Sequence, residues 1–211
     1  MEIQKTPIEL FRWADQLPAA LWEDLKSRSP GEAAASTGAL WRGGQFKIPL
    51  LGIDYALDPE TRRIRRTGRP DHRVSYQSGV VLLTTLSGSK GVPPSGLMIS
   101  PQELPGGRMF FVGAHALATK PLAEAFESRP EALVGRMHSL GGEIINGADL
   151  AMRLPGLPFV PLYLLLWKGD EDAPARAVIG IDGRAHFHLD LAGVFALTNI
   201  MVNRLVGDKP F

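Results

Sequence analysis

The sequence predicts an α+β fold. It reads as one domain over residues 1–211, with a helical N-terminal segment at about 6–38 and a mixed body at about 39–211. The sheet is expected to be mixed and mostly antiparallel, with the C-terminal helix packed on it. Three observations lead there. Helix-start signals cluster near the N-terminus. Apolar runs then follow one another through short Gly- and Pro-bearing turns, which pair strands antiparallel. A long apolar segment near the C-terminus has a capping residue before it and glycine after it.

The helices come first in the chain. "TPIE" (Thr6 to Glu9), "SPGE" (Ser29 to Glu32) and "SPQE" (Ser100 to Glu103) share a hydroxyl, then proline, then glutamate two residues further on. The hydroxyl caps a free N–H, proline has none to leave unpaired, and glutamate reaches back to the cap. "SRPE" (Ser128 to Glu131) is a variant. These serines therefore read as caps, not nucleophiles. The first helix is expected to run to Leu17, the second over Ala19 to Lys26, and a third from Pro30 to near Gly38.

The period then changes. "ALWRGGQFKIPLLG" reads as two strands around Gly43-Gly44, and "IDYALDPETRRIRR" as two more around Asp58-Pro59-Glu60-Thr61. Asp71 is expected to cap a helix ending at Gly88. Its "VVLLTTL" would equally suit a buried strand, and periodicity does not decide. "RMFFVG" reads as a short strand. Helices over Lys120 to Glu127 and Pro130 to Leu140 follow, then strands near Glu143–Ile145 and Leu150–Leu154. Phe159 to Asp182 reads as a hairpin with an acidic turn. Leu191 to Val206 reads as the last helix.

Composition narrows the function. The 211 residues carry a net charge of +1, which argues against nucleic acid as the main partner. Cysteine is absent, which excludes thiolate nucleophiles and an iron–sulfur cluster held by this chain. No apolar run is long enough for a membrane span, and the N-terminus lacks a signal-peptide pattern. The expected location is the cytoplasm. No P-loop, G-x-G-x-x-G or G-x-S-x-G is present.

The remaining motifs each admit two readings. Asp170, Glu171 and Asp172 are consecutive, and neighbouring side chains in an extended loop diverge, so a solvated hairpin end is the simpler account. "HFHLD" would place His186, His188 and Asp190 on one face of a strand, a ligand set suited to zinc or iron. The alternative is a strand exit in which Asp190 caps the last helix. "RRIRRTGRPDHR" holds six arginines in twelve residues. Arg62, Arg63, Arg65 and Arg66 are its candidates for anion binding.

Four stretches resemble the domain of unknown function 3786 family. They are "LWEDLKSRSPGEAAASTGA", "FKIPLLGIDYALDPE", "SGLMISPQELPGGRMFF" and the block from Leu140 to Asp182. The last is the most specific, with Gly141-Gly142, Gly147 and Asp149, Pro155 and Pro158, then Trp167, Gly169, Asp170 and Glu171. The resemblance implies a compact domain without an established activity. Some relatives carry an iron–sulfur segment, which does not transfer to a cysteine-free chain. His186 falls outside the family pattern.

The expected function is a non-enzymatic accessory domain that binds a small molecule, a cofactor or a protein partner. Its candidate ligand-binding residues are Trp167, Gly169, Asp170, Glu171 and Asp149. The alternative is a metal-dependent hydrolase built on His186, His188 and Asp190.

Overall fold

The computed structural model describes residues 12–207. The helix expected from Thr6 lies largely outside the described residues. Where it should end, a 3-10 turn stands instead (Ala14–Gln16), and Trp13 pairs with Ser75 as an isolated bridge. The α+β class holds, with every strand pairing antiparallel. Two sheets form where one was expected. The first is a meander of β1 (Leu40–Arg42), β2 (Gln45–Leu50), β3 (Ile53–Asp58) and β4 (Arg63–Arg66). The second runs in the order β5-β9-β8-β7-β6, from β5 (Met98–Ile99), β6 (Glu143–Ile145), β7 (Leu150–Leu157), β8 (Val160–Trp167) and β9 (Arg176–Asp182).

The short-range signals explain the local structure. Helix α1 spans Ala19–Lys26. Helix α2 spans Pro30–Thr37 as expected from Pro30, although the Ser29 hydroxyl makes no cap bond, and it ends on Gly38 in the left-handed region, which glycine enters without a Cβ clash. Gly43 and Gly44 both take positive φ, as a tight β1–β2 hairpin requires. The Asp58 carboxylate accepts from the N–H groups of Glu60 and Thr61 and so forms the β3–β4 turn. "SPQE" is a capping box on a 3-10 turn. In "SRPE", proline does begin the helix, but Ser128 ends the one before it.

Helix α3 (Tyr76–Gly88) settles the ambiguous stretch. Its cap is Ser75, which accepts from the Ser78 N–H, and not Asp71. The hydroxyls of Thr84, Thr85 and Ser87 bond back to the carbonyls of Val80, Val81 and Leu83. Those bonds let hydroxyl residues sit in a helix whose Val81, Leu82, Leu83 and Leu86 are all buried. The strand expected at "RMFFVG" is a short helix, α4 (Gly107–Phe110). The Phe110 and Phe111 rings meet edge to face at 5.1 Å, a contact that neighbours on opposite faces of a strand would not make.

Helices α5 (Lys120–Ser128) and α6 (Pro130–Ser139) precede the second sheet, and α7 (Leu191–Val206) closes the described chain. Helix α7 lies against α3, α5 and α6, while α5 reaches β8 and β9. One hydrophobic cluster draws residues from both sheets and from these helices. Among the described residues, no helix is long and apolar enough to cross a membrane.

Candidate anion-binding site

The acidic hairpin is built from its own backbone. Asp170 accepts from the N–H groups of Asp172 and Ala173 at 2.9 and 2.8 Å, while its own N–H donates to the Ala173 carbonyl. Asp149 accepts from Lys168 N–H and Glu127 from Gly169 N–H, which ties the turn to a loop and to α5. Trp167 is half-buried beneath the Arg176 guanidinium, 4.1 Å from its ring centre. Glu171 is exposed. The five candidate residues thus share one corner of the fold, and Asp149, Gly169 and Asp170 act there as turn-holding groups.

"HFHLD" is not a strand, so its side chains do not share a face. Ala185–Phe187 is a 3-10 turn, and Asp190 caps α7 by accepting from Gly193 N–H at 2.7 Å. His186 is exposed, whereas His188 is buried. The His188 Nε2–H donates to the Val92 carbonyl at 2.8 Å, and Nδ1 lies 2.7 Å from the Ser89 hydroxyl. Burial pushes the His188 pKa below the ordinary histidine value. Among the described residues, no three His, Asp or Glu side chains gather as metal ligands would.

The arginine-rich turn divides. Alternation along β4 places Arg63 and Arg65 on the face opposite Ile64 and Arg66. Arg62 forms an ion pair with Glu23 at 2.7 Å. Arg66 stands across from Tyr55 in the β3–β4 register, on the face that packs inward. Of the four predicted arginines, it alone lines a cavity of about 270 Å³ together with Arg204.

Arg204 enters that cavity from the last turn of α7. Its position follows Leu197 and Met201 along the buried stripe of the helix, and its side chain is only 8% exposed. Nη1 donates to the carbonyls of Leu50 and Leu51 at 2.7 and 3.3 Å, and Nη2 to the Tyr55 hydroxyl at 2.8 Å. Those bonds secure the β2–β3 turn, where Leu51 takes a positive φ of 50° that costs a non-glycine residue strain. The Nε–H bonds to no acceptor among the described residues. No buried side-chain nitrogen there lacks a partner, so Nε keeps accessible surface on a residue that lines the cavity.

The remaining walls supply charge, polar groups and one helix end. Trp13, Ile53, Val74 and Ile200 are the apolar part, and Asn203 adds an amide. Arg73 lies over the Trp13 ring at 4.4 Å and pairs with Asp15 at 2.9 Å. Ser75, Gln77 and Ser78 bring the N-terminal turn of α3, the positive end of its dipole. No carboxylate lies within ion-pair distance of Arg66 or Arg204 among the described residues. Burial lowers the Arg204 pKa and Arg66 lowers it further, against the opposing pull of Tyr55. Sequence reasoning missed Arg204 and Tyr55. The available signal was an arginine on the apolar stripe of α7.

A model of the family described as a domain of unknown function (DUF3786) matches residues 29–204. No curated protein and no solved structure matches the chain. The family match covers well over half of the sequence and includes Tyr55, Arg66 and Arg204, and the chain belongs to that family.

Proposed function

For this member of the DUF3786 family, we propose a binding domain for a small anionic molecule, held in the cavity between β3, β4, α3 and α7. One observation carries the reading. Arg204 is buried with no carboxylate beside it, and Arg66 adds a second positive charge to the same cavity. Buried charges are ordinarily paired, because desolvation costs on the order of several kcal/mol per ion. An anion in the cavity would supply the missing partner. The free Nε–H and the α3 N-terminus both favour negative charge there.

The reading sharpens the expected accessory domain by moving its site away from the acidic hairpin. None of Trp167, Gly169, Asp170, Glu171 or Asp149 lines the arginine cavity. The test is thermal denaturation with a panel of sodium salts (phosphate, sulfate, acetate, succinate) against chloride at equal ionic strength. A saturable rise in Tm with at least one oxyanion, lost in Arg66→Gln, is expected. A response that is the same for every salt and unsaturating, as general screening gives, overturns the proposal.

A further inference from the structure

We infer that the anion is a phosphate group carried as a monoester, its organic part extending past Trp13 into an adjoining hollow. The inference rests on the anion-binding reading above. Charge balance is the first argument. Arg66, Arg73 and Arg204 line the cavity and no acidic residue does. Asp15 already neutralises Arg73, which leaves Arg66 and Arg204 unmatched. A carboxylate would answer one of these charges. A phosphomonoester carries roughly −1.5 to −2 at pH 7 and answers both.

The direction of the donors is the second argument. Arg204 approaches from α7, Arg66 from β4, and Ser75, Gln77 and Ser78 from the first turn of α3. A carboxylate offers its oxygens in one plane, while a phosphate offers them in several directions. Donors from three elements suit the tetrahedral group better. The helix end does not stand alone here, because Arg204 is more than nine-tenths buried, lines the same space and keeps Nε accessible.

The third argument concerns the ester. A second hollow of about 310 Å³ shares Trp13, His72, Arg73 and Val74 with the first. Arg62, Arg63, Arg65, Asp15 and Asp71 also line it. Such a wall suits a hydroxyl-bearing organic group, with acceptors and donors both within reach, better than an alkyl chain. The shared residues make the two hollows neighbours at the edge strand β4, which places the ester's organic part beside its phosphate group.

The experiment is calorimetric titration of the full chain with inorganic phosphate, ribose 5-phosphate, ribose and acetate at matched ionic strength. Phosphate is expected to bind roughly tenfold more tightly than acetate, as charge-assisted pairing to a second arginine implies. Ribose 5-phosphate is expected to bind more tightly than phosphate, and ribose not at all. Arg66→Gln should abolish the preference for phosphate over acetate, with circular dichroism confirming its fold. If no anion binds, the anion-binding reading falls and this inference with it. If acetate equals phosphate, the phosphate assignment alone falls. If ribose 5-phosphate is no tighter than phosphate, the ester reading falls. If Arg66→Gln keeps the full preference, phosphate binds elsewhere and the inference is overturned.

Discussion

Asp182 and Arg204 are both buried charges, and the fold meets them in opposite ways. Asp182 sits at the end of β9, and its carboxylate accepts from Ser95 N–H, Gly96 N–H, Arg184 N–H and the Ser95 hydroxyl, all within 3.1 Å. Burial by itself would raise its pKa; the bonds from Ser95, Arg184 and Gly96 outweigh it and hold the pKa below the ordinary value. Arg204 has carbonyls and a phenol, but no counter-charge, and Nε is left over. The first is a closed arrangement that holds a loop. The second is half closed, holding a turn on one side and facing a cavity on the other. A buried charge thus points to a ligand only when its own neighbours leave it incomplete.

The comparison makes Asp182 the more costly residue to lose. Asp182→Ala leaves three partly buried N–H groups without an acceptor, those of Ser95, Gly96 and Arg184, and a loss of about 3 kcal/mol in urea denaturation at neutral pH is expected. The pH dependence has a definite sign. The folded pKa lies below the unfolded one, so the stabilisation is full at neutral pH. It fades as pH falls from about 4 through the lower folded value. The gap between wild type and Asp182→Ala should therefore close in acid, and a gap that widens there would break the account.

Arg204→Met should cost less, about 2 kcal/mol, because two terms oppose each other. The carbonyls of Leu50 and Leu51 and the Tyr55 hydroxyl lose their donor. The desolvation of an unpaired cation is relieved at the same time. Equal losses in the two variants would mean that Arg204 is as fully satisfied as Asp182, and the contrast would collapse. Adding phosphate should stabilise wild type and leave Arg204→Met unmoved.

The same distinction between closed and open groups governs what was legible in the sequence. Helices α1 and α2, the Gly43-Gly44 hairpin and the Asp58 turn were readable because proline at a helix start, glycine at a turn or helix end and a side-chain acceptor all act within a few residues. Helix α3 was undecided because burial on all sides erased its period, and its hydroxyl back-bonds have no pattern in the apolar run. "HFHLD" alternates like a strand, yet the 3-10 turn at Ala185–Phe187 and the Asp190 cap of α7 leave no room for one. Arg66 was within the predicted anion-binding set, and β4 alternation separates it from Arg63 and Arg65. Arg204 was not, because its partners Leu50 and Leu51 lie more than 150 residues away in sequence.

The acidic hairpin supplies a smaller test on the closed side. Asp170→Ala removes the acceptor for Asp172 and Ala173 N–H, but that turn is exposed and water can replace it. A loss of about 0.5–1 kcal/mol is expected, with phosphate affinity unchanged. A change in anion binding on this substitution would return the site to the hairpin, where the sequence first placed it.

Arg66→Gln carries the smallest effect on stability and separates structure from function most cleanly. Arg66 is half-buried and forms no ion pair among the described residues, and its charge bears unfavourably on Arg204. Removing that charge relieves repulsion and breaks no buried hydrogen bond. The variant should match wild type or exceed it by up to about 0.5 kcal/mol in ligand-free buffer. In phosphate the order should reverse, since wild type gains from binding and the variant gains little. A residue whose loss helps the empty protein and harms the occupied one is held for its ligand, whereas a purely structural arginine would lower stability equally in both buffers.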